Sequence, residues 1–221
     1  MMYALWVVLP GLAVLSCLIG HVWRYRHDRF GSVLYGPHTD ATQRVGMRAF
    51  RIGLPMLFFA RVTEVFASGP HSRPEGSIKT VLTVFQLIGC PLAVIGAGLL
   101  LVPPLIAADV RVRVTPLDRI TLPLMVAALI SAVLVRFDPY STDDRYRTAE
   151  TLFAWVRSLL TLHPDPAVMQ HAPLVYQARG LILMALISIW PYTRLAGIFA
   201  VPAVRLLRQI PRSFRHYPIP G

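Results

Sequence analysis

Four arginines lie within or at the edges of stretches that are otherwise apolar enough to cross a bilayer: Arg51, Arg61, Arg136 and Arg179. Placing a cation in hydrocarbon costs at least ~2.5–3.5 kcal/mol on insertion scales, so such residues usually face a bundle interior and mark function. A guanidinium offers only N–H donors, which suit carboxylates, phosphates and carbonyl oxygens. The chemistry these residues can do is therefore to bind an anion or a buried acceptor.

Glu64 follows Arg61 by three residues, so the two side chains share one helical face and are within pairing reach. It is the only acidic residue well inside an apolar stretch. The sequence contains no Ser-His-Asp set, paired carboxylates, P-loop or zinc motif. Cys17 and Cys90 lack a CxxC pattern and are predicted to be small core residues. We therefore predict neither a catalytic site nor a metal site.

The elements that must position these charges follow from composition. The chain has 221 residues, 55% of them hydrophobic, and a mean hydropathy of +0.54. This composition is typical of a multi-span membrane protein. We predict an all-α integral membrane bundle of five transmembrane helices, forming one domain over residues 1–221. The five apolar stretches approach the ~20 residues needed to span hydrocarbon, and they are 4–23, 47–67, 81–105, 120–135 and 174–192.

The basic residues predict the orientation of these spans. With the N-terminus outside, the inner segments hold thirteen basic residues and the outer segments five. The inner residues are Arg24, Arg26, Arg29, Arg44, Arg48, Arg111, Arg113, Arg119, Arg194, Arg205, Arg208, Arg212 and Arg215. The outer residues are Arg73, Lys79, Arg145, Arg147 and Arg157. This positive-inside bias predicts an outer N-terminus and a cytoplasmic C-terminus. It also accounts for the net charge of +11 without nucleic acid.

Two further features concern the packing of the bundle. The first stretch has its basic flank after the apolar core, at residues 23–26, which predicts a retained span rather than a cleavable signal. Residues 149–162 read as an amphipathic helix lying along the outer interface. Gly96 and Gly98 in the third stretch are predicted to let neighbouring helices approach closely.

The end of the fifth stretch carries a resemblance to a known family. Residues 190–202 read WPYTRLAGIFAVP, which resembles the end of the fifth helix of the gamma subunit of respiratory nitrate reductase, a membrane-anchoring cytochrome b subunit. Matching segments recur in order over nearly the whole chain, and they are residues 18–25, 46–53, 95–101, 111–115 and 155–158.

This resemblance implies a five-helix cytochrome with two b haems between helices two and five. Such a subunit takes electrons from quinol near the outer face and passes them to an iron–sulfur subunit docked inside. The family's four histidine ligands lie ten residues apart on helix two and eighteen apart on helix five. The matching positions here are Arg51, Arg61, Arg179 and Gly197, none of which is histidine.

That departure decides the expected chemistry. Haem iron needs a donor with a free lone pair, which neither arginine nor glycine provides. The remaining histidines lie in loops, tails or at opposite faces, and Met56 and Met184 are predicted to be core residues. We therefore expect no cofactor, with haem b retained only if unorthodox ligands hold it.

On the family's depth order, Arg61 and Arg179 share the outer haem layer, while Arg51 and Gly197 share the inner one. We hypothesise that Arg61 and Arg179 bracket Glu64, with a phospholipid phosphate, another anion or water completing the cluster. An equally weighted alternative is that side chains fill the vacated haem volume. Arg136 is expected to extend towards the headgroups.

Lys79 lies near the place of a lysine in the family's quinol site. We interpret it as a remnant of a quinone site or as an interfacial anchor. Without an electron acceptor, a bound quinone would be structural or inhibitory rather than a substrate.

Three functions stay open at this point. The first is a haem-free anchor, not catalytic by itself, that tethers an iron–sulfur and molybdopterin subunit pair on the cytoplasmic side. Its docking residues would be Arg24, Arg194, Arg205 and Arg208. The second is an electron-transfer cytochrome with unorthodox ligands. The third is a stand-alone membrane protein that binds lipid or an anion in the former haem space.

Overall fold

Long helices make up most of the computed structural model, which describes residues 3–27, 41–106, 116–142, 145–193 and 195–200. A π-helical turn, Ala4–Val8, leads into α1 (Leu9–His27). The other long helices are α2 (Ala41–Ala67), α3 (Gly76–Ile106), α4 (Pro116–Arg136) and α7 (Leu174–Ile189). Shorter helices are α5 (Ala154–Leu160), α6 (Ala167–Gln170) and α8 (195–200). The all-helical prediction is confirmed for the described residues.

Four of these helices are long and apolar enough to cross a membrane: Ala4–His27, Gly76–Pro103, Arg119–Arg136 and Leu174–Tyr192. They correspond to four of the five predicted spans. The second predicted span, 47–67, lies inside α2 and is helical throughout. Its Arg51, Arg61 and Glu64 lower its apolar character. The membrane crossing of the second predicted span and the orientation of the termini therefore stay predictions.

The closest helix pair is α2 with α3, and glycines make the approach possible. A Cβ added at Gly53 would lie 2.4 Å from the backbone nitrogen of Ala93, and one at Gly96 would lie 2.5 Å from that of Phe50. Real side-chain atoms cannot approach backbone so closely, so the two helices pack along their main chains. The prediction for Gly96 is confirmed. The prediction for Gly98 is wrong, because an added Cβ there meets nothing within 4 Å.

The first helix holds the end of α7, where a 3-10 turn, Trp190–Tyr192, follows the helix. Pro191 sits against Gly20, whose added Cβ would lie 2.5 Å from the proline Cγ. Arg24 is buried, with 8% of its surface exposed, and donates hydrogen bonds to the carbonyls of Pro191 and Thr193. These carbonyls lie at a helix C-terminus, where a cation is favourable.

The assignment of Arg24 as an exposed docking residue is therefore wrong. Its guanidinium is used inside the chain, closing the end of α7 against α1. Sequence position alone placed it in a basic flank, and nothing local indicated that α7 would end beside it. The other docking candidates, Arg194, Arg205 and Arg208, lie outside the described residues.

The segment before α7 closes one end of the bundle. The predicted helix 149–162 is present as a π-helical turn, Ala149–Phe153, followed by α5, which ends at Leu160. Its Trp155 ring meets Trp6 edge to face at 5.8 Å, and its Nε1 donates to the Trp6 carbonyl at 2.9 Å. The apolar face of this segment therefore packs on the start of α1. Its position at a membrane interface stays a prediction.

A pair of glycine substitutions tests the α2–α3 contact. We expect Gly96→Ala to lower the free energy of unfolding by about 1–3 kcal/mol, because its Cβ would overlap the backbone of Phe50. Gly98→Ala is the matched control on the same helix, with open space for its Cβ. It should leave stability unchanged or raise it by up to about 1 kcal/mol through helix propensity. Unfolding of the purified protein in detergent, followed by circular dichroism, measures both; equal effects would contradict the packing argument.

Candidate functional site

The two positions of the inner layer lie close together between α2 and α8. Arg51 is exposed at its helix surface, and its Nη2 donates to the carbonyl of Ile198 at 3.2 Å. Gly197, the residue before that carbonyl, is buried. Arg51 thus bonds to the backbone next to Gly197, the position that would pair with it in the inner haem layer. This contact joins α2 to α8.

Aromatic rings pack between the same elements. The Phe50 ring lies 6.3 Å from Trp190 and 5.9 Å from Phe199, and the last two rings are 6.4 Å apart. Leu195 and Ile198 are fully buried in the same cluster. Ring pairs at these distances attract each other beyond the area that they bury. The inner layer is therefore a packed hydrophobic cluster.

Glu64 is the centre of the polar contacts in the outer layer. It is buried, with 6% of its surface exposed. Its Oε2 accepts from Arg61 Nη1 at 2.6 Å and from Gln86 Nε2 at 3.2 Å, and its Oε1 accepts from the Tyr146 hydroxyl at 2.8 Å. A buried carboxylate is tolerated when such donors surround it. These bonds join α2, α3 and the segment before α5.

Tyr146 fixes the segment before α5 over the end of α2. Its backbone N–H donates to the Pro70 carbonyl at 2.9 Å, and the Arg73 guanidinium lies 4.7 Å above its ring. Burial raises the pKa of the Tyr146 hydroxyl well above its ordinary value, and the nearby Glu64 carboxylate raises it further. The hydroxyl therefore stays protonated and remains a donor to Glu64.

Arg179 takes partners other than the predicted one. Its Nη1 donates to the Ala128 carbonyl at 3.1 Å and to Ser131 Oγ at 3.2 Å, both on α4. In the described part of the chain no hydrogen bond joins it to Glu64, so the predicted bracketing of Glu64 by two arginines is replaced by a single pair. The reason is that α7 packs mainly on α4 and α1, whereas α2 packs on α3.

Arg61 is nevertheless close enough for its charge to act on Arg179. Hydrogen bonds and an ion pair bring the same helix ends together. The Tyr146 hydroxyl donates to Glu64 on α2, Arg147 lies 3.8 Å from Asp138 after α4, and the Tyr176 hydroxyl on α7 donates to Asp138 at 2.7 Å. Arg61 and Arg179 therefore lie at the same end of the bundle. Arg136, exposed at the end of α4, acts similarly on Tyr146. Its exposure agrees with the expected extension towards headgroups, and its charge adds to that of the other two arginines.

Lys79 is exposed in the first turn of α3, next to an apolar groove of about 330 Å³. The groove runs between α2 and α3 and is lined by Phe59, Ala60, Thr63, Ser77, Ile78, Val81, Leu82 and Phe85. Ala60, the residue before Arg61, is part of this lining, so the groove opens close to Arg61. A role for Lys79 in quinone binding stays a prediction.

The sequence did not indicate Gln86 or Tyr146 as partners of Glu64. They lie 22 and 82 residues away from it along the chain, so no helical spacing relates them. A buried carboxylate does require several donors. The sequence therefore indicated that Glu64 needs several donors, but it did not indicate which residues supply them.

Comparison with known proteins places this geometry in context. A family model described as nitrate reductase gamma subunit matches residues 2–215. The chain is 29% identical over 233 residues to the nitrate reductase gamma chain of Bacillus subtilis, covering 96% of each protein. It is also 29% identical over 215 residues to the nitrate reductase-like protein NarX of Mycobacterium tuberculosis. That match covers 92% of this chain and 32% of NarX, so the chain spans about a third of that relative.

Removing one donor tests the Glu64 cluster. We expect Tyr146→Phe to lower the free energy of unfolding by about 1.5–3 kcal/mol, because a charged acceptor loses a bond. Tyr140→Phe is the control: Tyr140 is 71% exposed, and the substitution keeps the ring beneath Arg147. It should change stability by less than about 0.5 kcal/mol.

The stability of wild type and Tyr146→Phe should also differ in its dependence on pH. Since folding raises the pKa of Tyr146, its contribution is complete below the ordinary tyrosine pKa of about 10 and is lost as pH rises through the higher folded-state value. Wild type should therefore lose more stability than Tyr146→Phe between neutral and strongly alkaline pH. Denaturant titrations at several pH values measure this, and parallel curves would contradict the assignment.

Proposed function

This chain belongs to the nitrate reductase gamma subunit family, and we propose that it is a haem-free membrane subunit that anchors a cytoplasmic redox partner. In this role it carries no electrons itself and is not catalytic alone. The observation that supports the proposal most directly is the set of residues at the four family ligand positions, together with the contacts that those residues make.

The donor set at these positions does not fit a b haem. Arg51 directs an N–H at the Ile198 carbonyl, and Arg179 directs its own at α4. Gly197 has no side chain to offer. A guanidinium stays protonated and has no lone pair for iron. The inner layer is also occupied by the rings of Phe50, Trp190 and Phe199, which favours filling of the former haem volume by side chains.

Other donors are poorly placed to substitute. Met56 Cβ faces Gly89 of α3, where an added Cβ would approach it to 3.1 Å, so this residue packs on α3. Met184 lies on α7, in the cluster that contains Trp6 and Ala13. His21 Nδ1 lies 2.8 Å from the Cys17 carbonyl on its own helix. These positions support the absence of an unorthodox ligand pair.

Five spans with the N-terminus outside complete the proposal. At 27 residues, α2 is about 40 Å long, more than the ~30 Å hydrocarbon thickness. Its polar residues have partners within the chain, because Arg51 bonds to backbone and Arg61 pairs with Glu64. Satisfied groups of this kind are compatible with a bilayer. The bias of basic residues supports a cytoplasmic C-terminus in a bacterial plasma membrane.

The proposed partner is an iron–sulfur and molybdopterin subunit pair on the cytoplasmic side. Family membership supports association with other nitrate reductase subunits in the membrane. Arg194, Arg205 and Arg208 supply a basic tail that would attract an acidic partner surface. A quinone beside Lys79 would have no electron acceptor in this chain, so we assign it no reaction.

Optical spectroscopy of the purified full-length protein tests the haem-free state. We expect no Soret band and no b-type alpha band after dithionite reduction, because no described ligand pair can hold the iron. Preparations from cells supplied with a haem precursor exclude limited synthesis as the cause. A reducible b-type spectrum at close to one haem per chain would overturn this proposal in favour of a cytochrome.

Membrane recruitment tests the anchoring role. The chain is co-expressed with the iron–sulfur and molybdopterin subunits encoded by the same organism, and the membrane-bound fraction of these subunits is measured. We expect them to move to the membrane with the chain present, and Arg205→Gln with Arg208→Gln to reduce this fraction several-fold. Arg145→Gln, on the proposed outer side, is the control. Soluble partners in every case would contradict the role.

A further inference from the structure

We propose that a phosphate group, carried by an anionic phospholipid, binds between the ends of α2, α4 and α7 at Arg61, Arg136 and Arg179. This inference rests on the proposed function in one respect, since it requires the outer layer to be free of haem. It does not depend on the cytoplasmic partner.

The charges at this end do not balance. Glu64 compensates one of the three arginines. Nearby charges pair among themselves, with Arg145 2.8 Å from Glu150 and Arg147 3.8 Å from Asp138. Among the residues that the structure describes, the cluster of Arg61, Arg136 and Arg179 therefore keeps an excess of two positive charges. Like charges held together near hydrocarbon are costly, and an anion between them removes that cost.

The geometry leaves donors available for such an anion. The contacts of Arg61 and Arg179 within the described residues use only Nη1 of each guanidinium. The Arg61 side chain is 42% exposed. A guanidinium has five N–H donors and binds phosphate oxygens in pairs. Arg61 on α2 and Arg179 on α7 lie at the same end of the bundle, so together they are suited to bind one phosphate.

Depth favours a lipid as the source of the phosphate. Arg61 lies six residues before the end of α2, and Arg179 lies five residues after the start of α7. At 1.5 Å per residue these are about 9 and 7.5 Å from the helix ends, within reach of headgroups for an extended arginine side chain. Exposed Phe66 and Val62 flank Arg61 on α2 and offer an apolar surface to acyl chains.

Native mass spectrometry of the full-length protein in detergent tests the site. The probes are phosphatidylglycerol, phosphatidylcholine and inorganic phosphate. We expect one phosphatidylglycerol to be retained per chain in preference to phosphatidylcholine. Arg179→Gln should weaken its binding at least about tenfold, because charge-assisted bonds are lost. Arg136→Gln, at an exposed position, should weaken it less.

Arg48→Gln is the matched control, because Arg48 is exposed at the opposite end of α2, and it should leave lipid binding unchanged. Displacement by millimolar inorganic phosphate, with no preference between lipids, would support the same site with free phosphate as its occupant. Equal phosphatidylglycerol binding by wild type, Arg179→Gln and Arg136→Gln would overturn the inference. The absorbance spectrum of each sample separates the proposals: a haem band contradicts the proposed function, and equal lipid binding without such a band contradicts only this site.

Discussion

The requirement that buried polar groups find partners within the chain governs this structure. Glu64 is the most demanding case, because a buried carboxylate must be surrounded by donors. Arg61, Gln86 and Tyr146 meet that requirement from three parts of the chain. The position of the segment before α5 follows from it, since Tyr146 must lie over the end of α2. The polar cluster thus organises one end of the bundle.

Glycine contacts and aromatic packing hold the helices of the bundle together. Close contact at Gly53 and Gly96 pairs α2 with α3, while α7 packs on α1 and α4. The rings of Phe50, Trp190 and Phe199 join these two groups at one end. In this chain side-chain packing connects α2 to the end of α7.

Much of the fold followed from composition and spacing, because apolar runs of about 20 residues have few alternatives to helices. The Arg61–Glu64 contact followed as well, because three residues separate the two on one helix. Contacts between distant segments did not. The burial of Arg24 depends on where α7 ends, and the partners of Arg179 depend on which helix packs beside it. Local patterns carry no information about such neighbours, and they could not separate Gly96 from Gly98.

The aromatic cluster has a consequence for how the molecule can be observed. Trp190 lies against Phe50 and Phe199, while Trp6 and Trp155 lie together at the other end. Indole emission shifts to longer wavelength when the ring becomes hydrated. Trp23, which is exposed on α1, would first be replaced by phenylalanine. Each end of the bundle then carries its own fluorophore, and replacing one group with phenylalanine would let loosening at the other end be followed in real time.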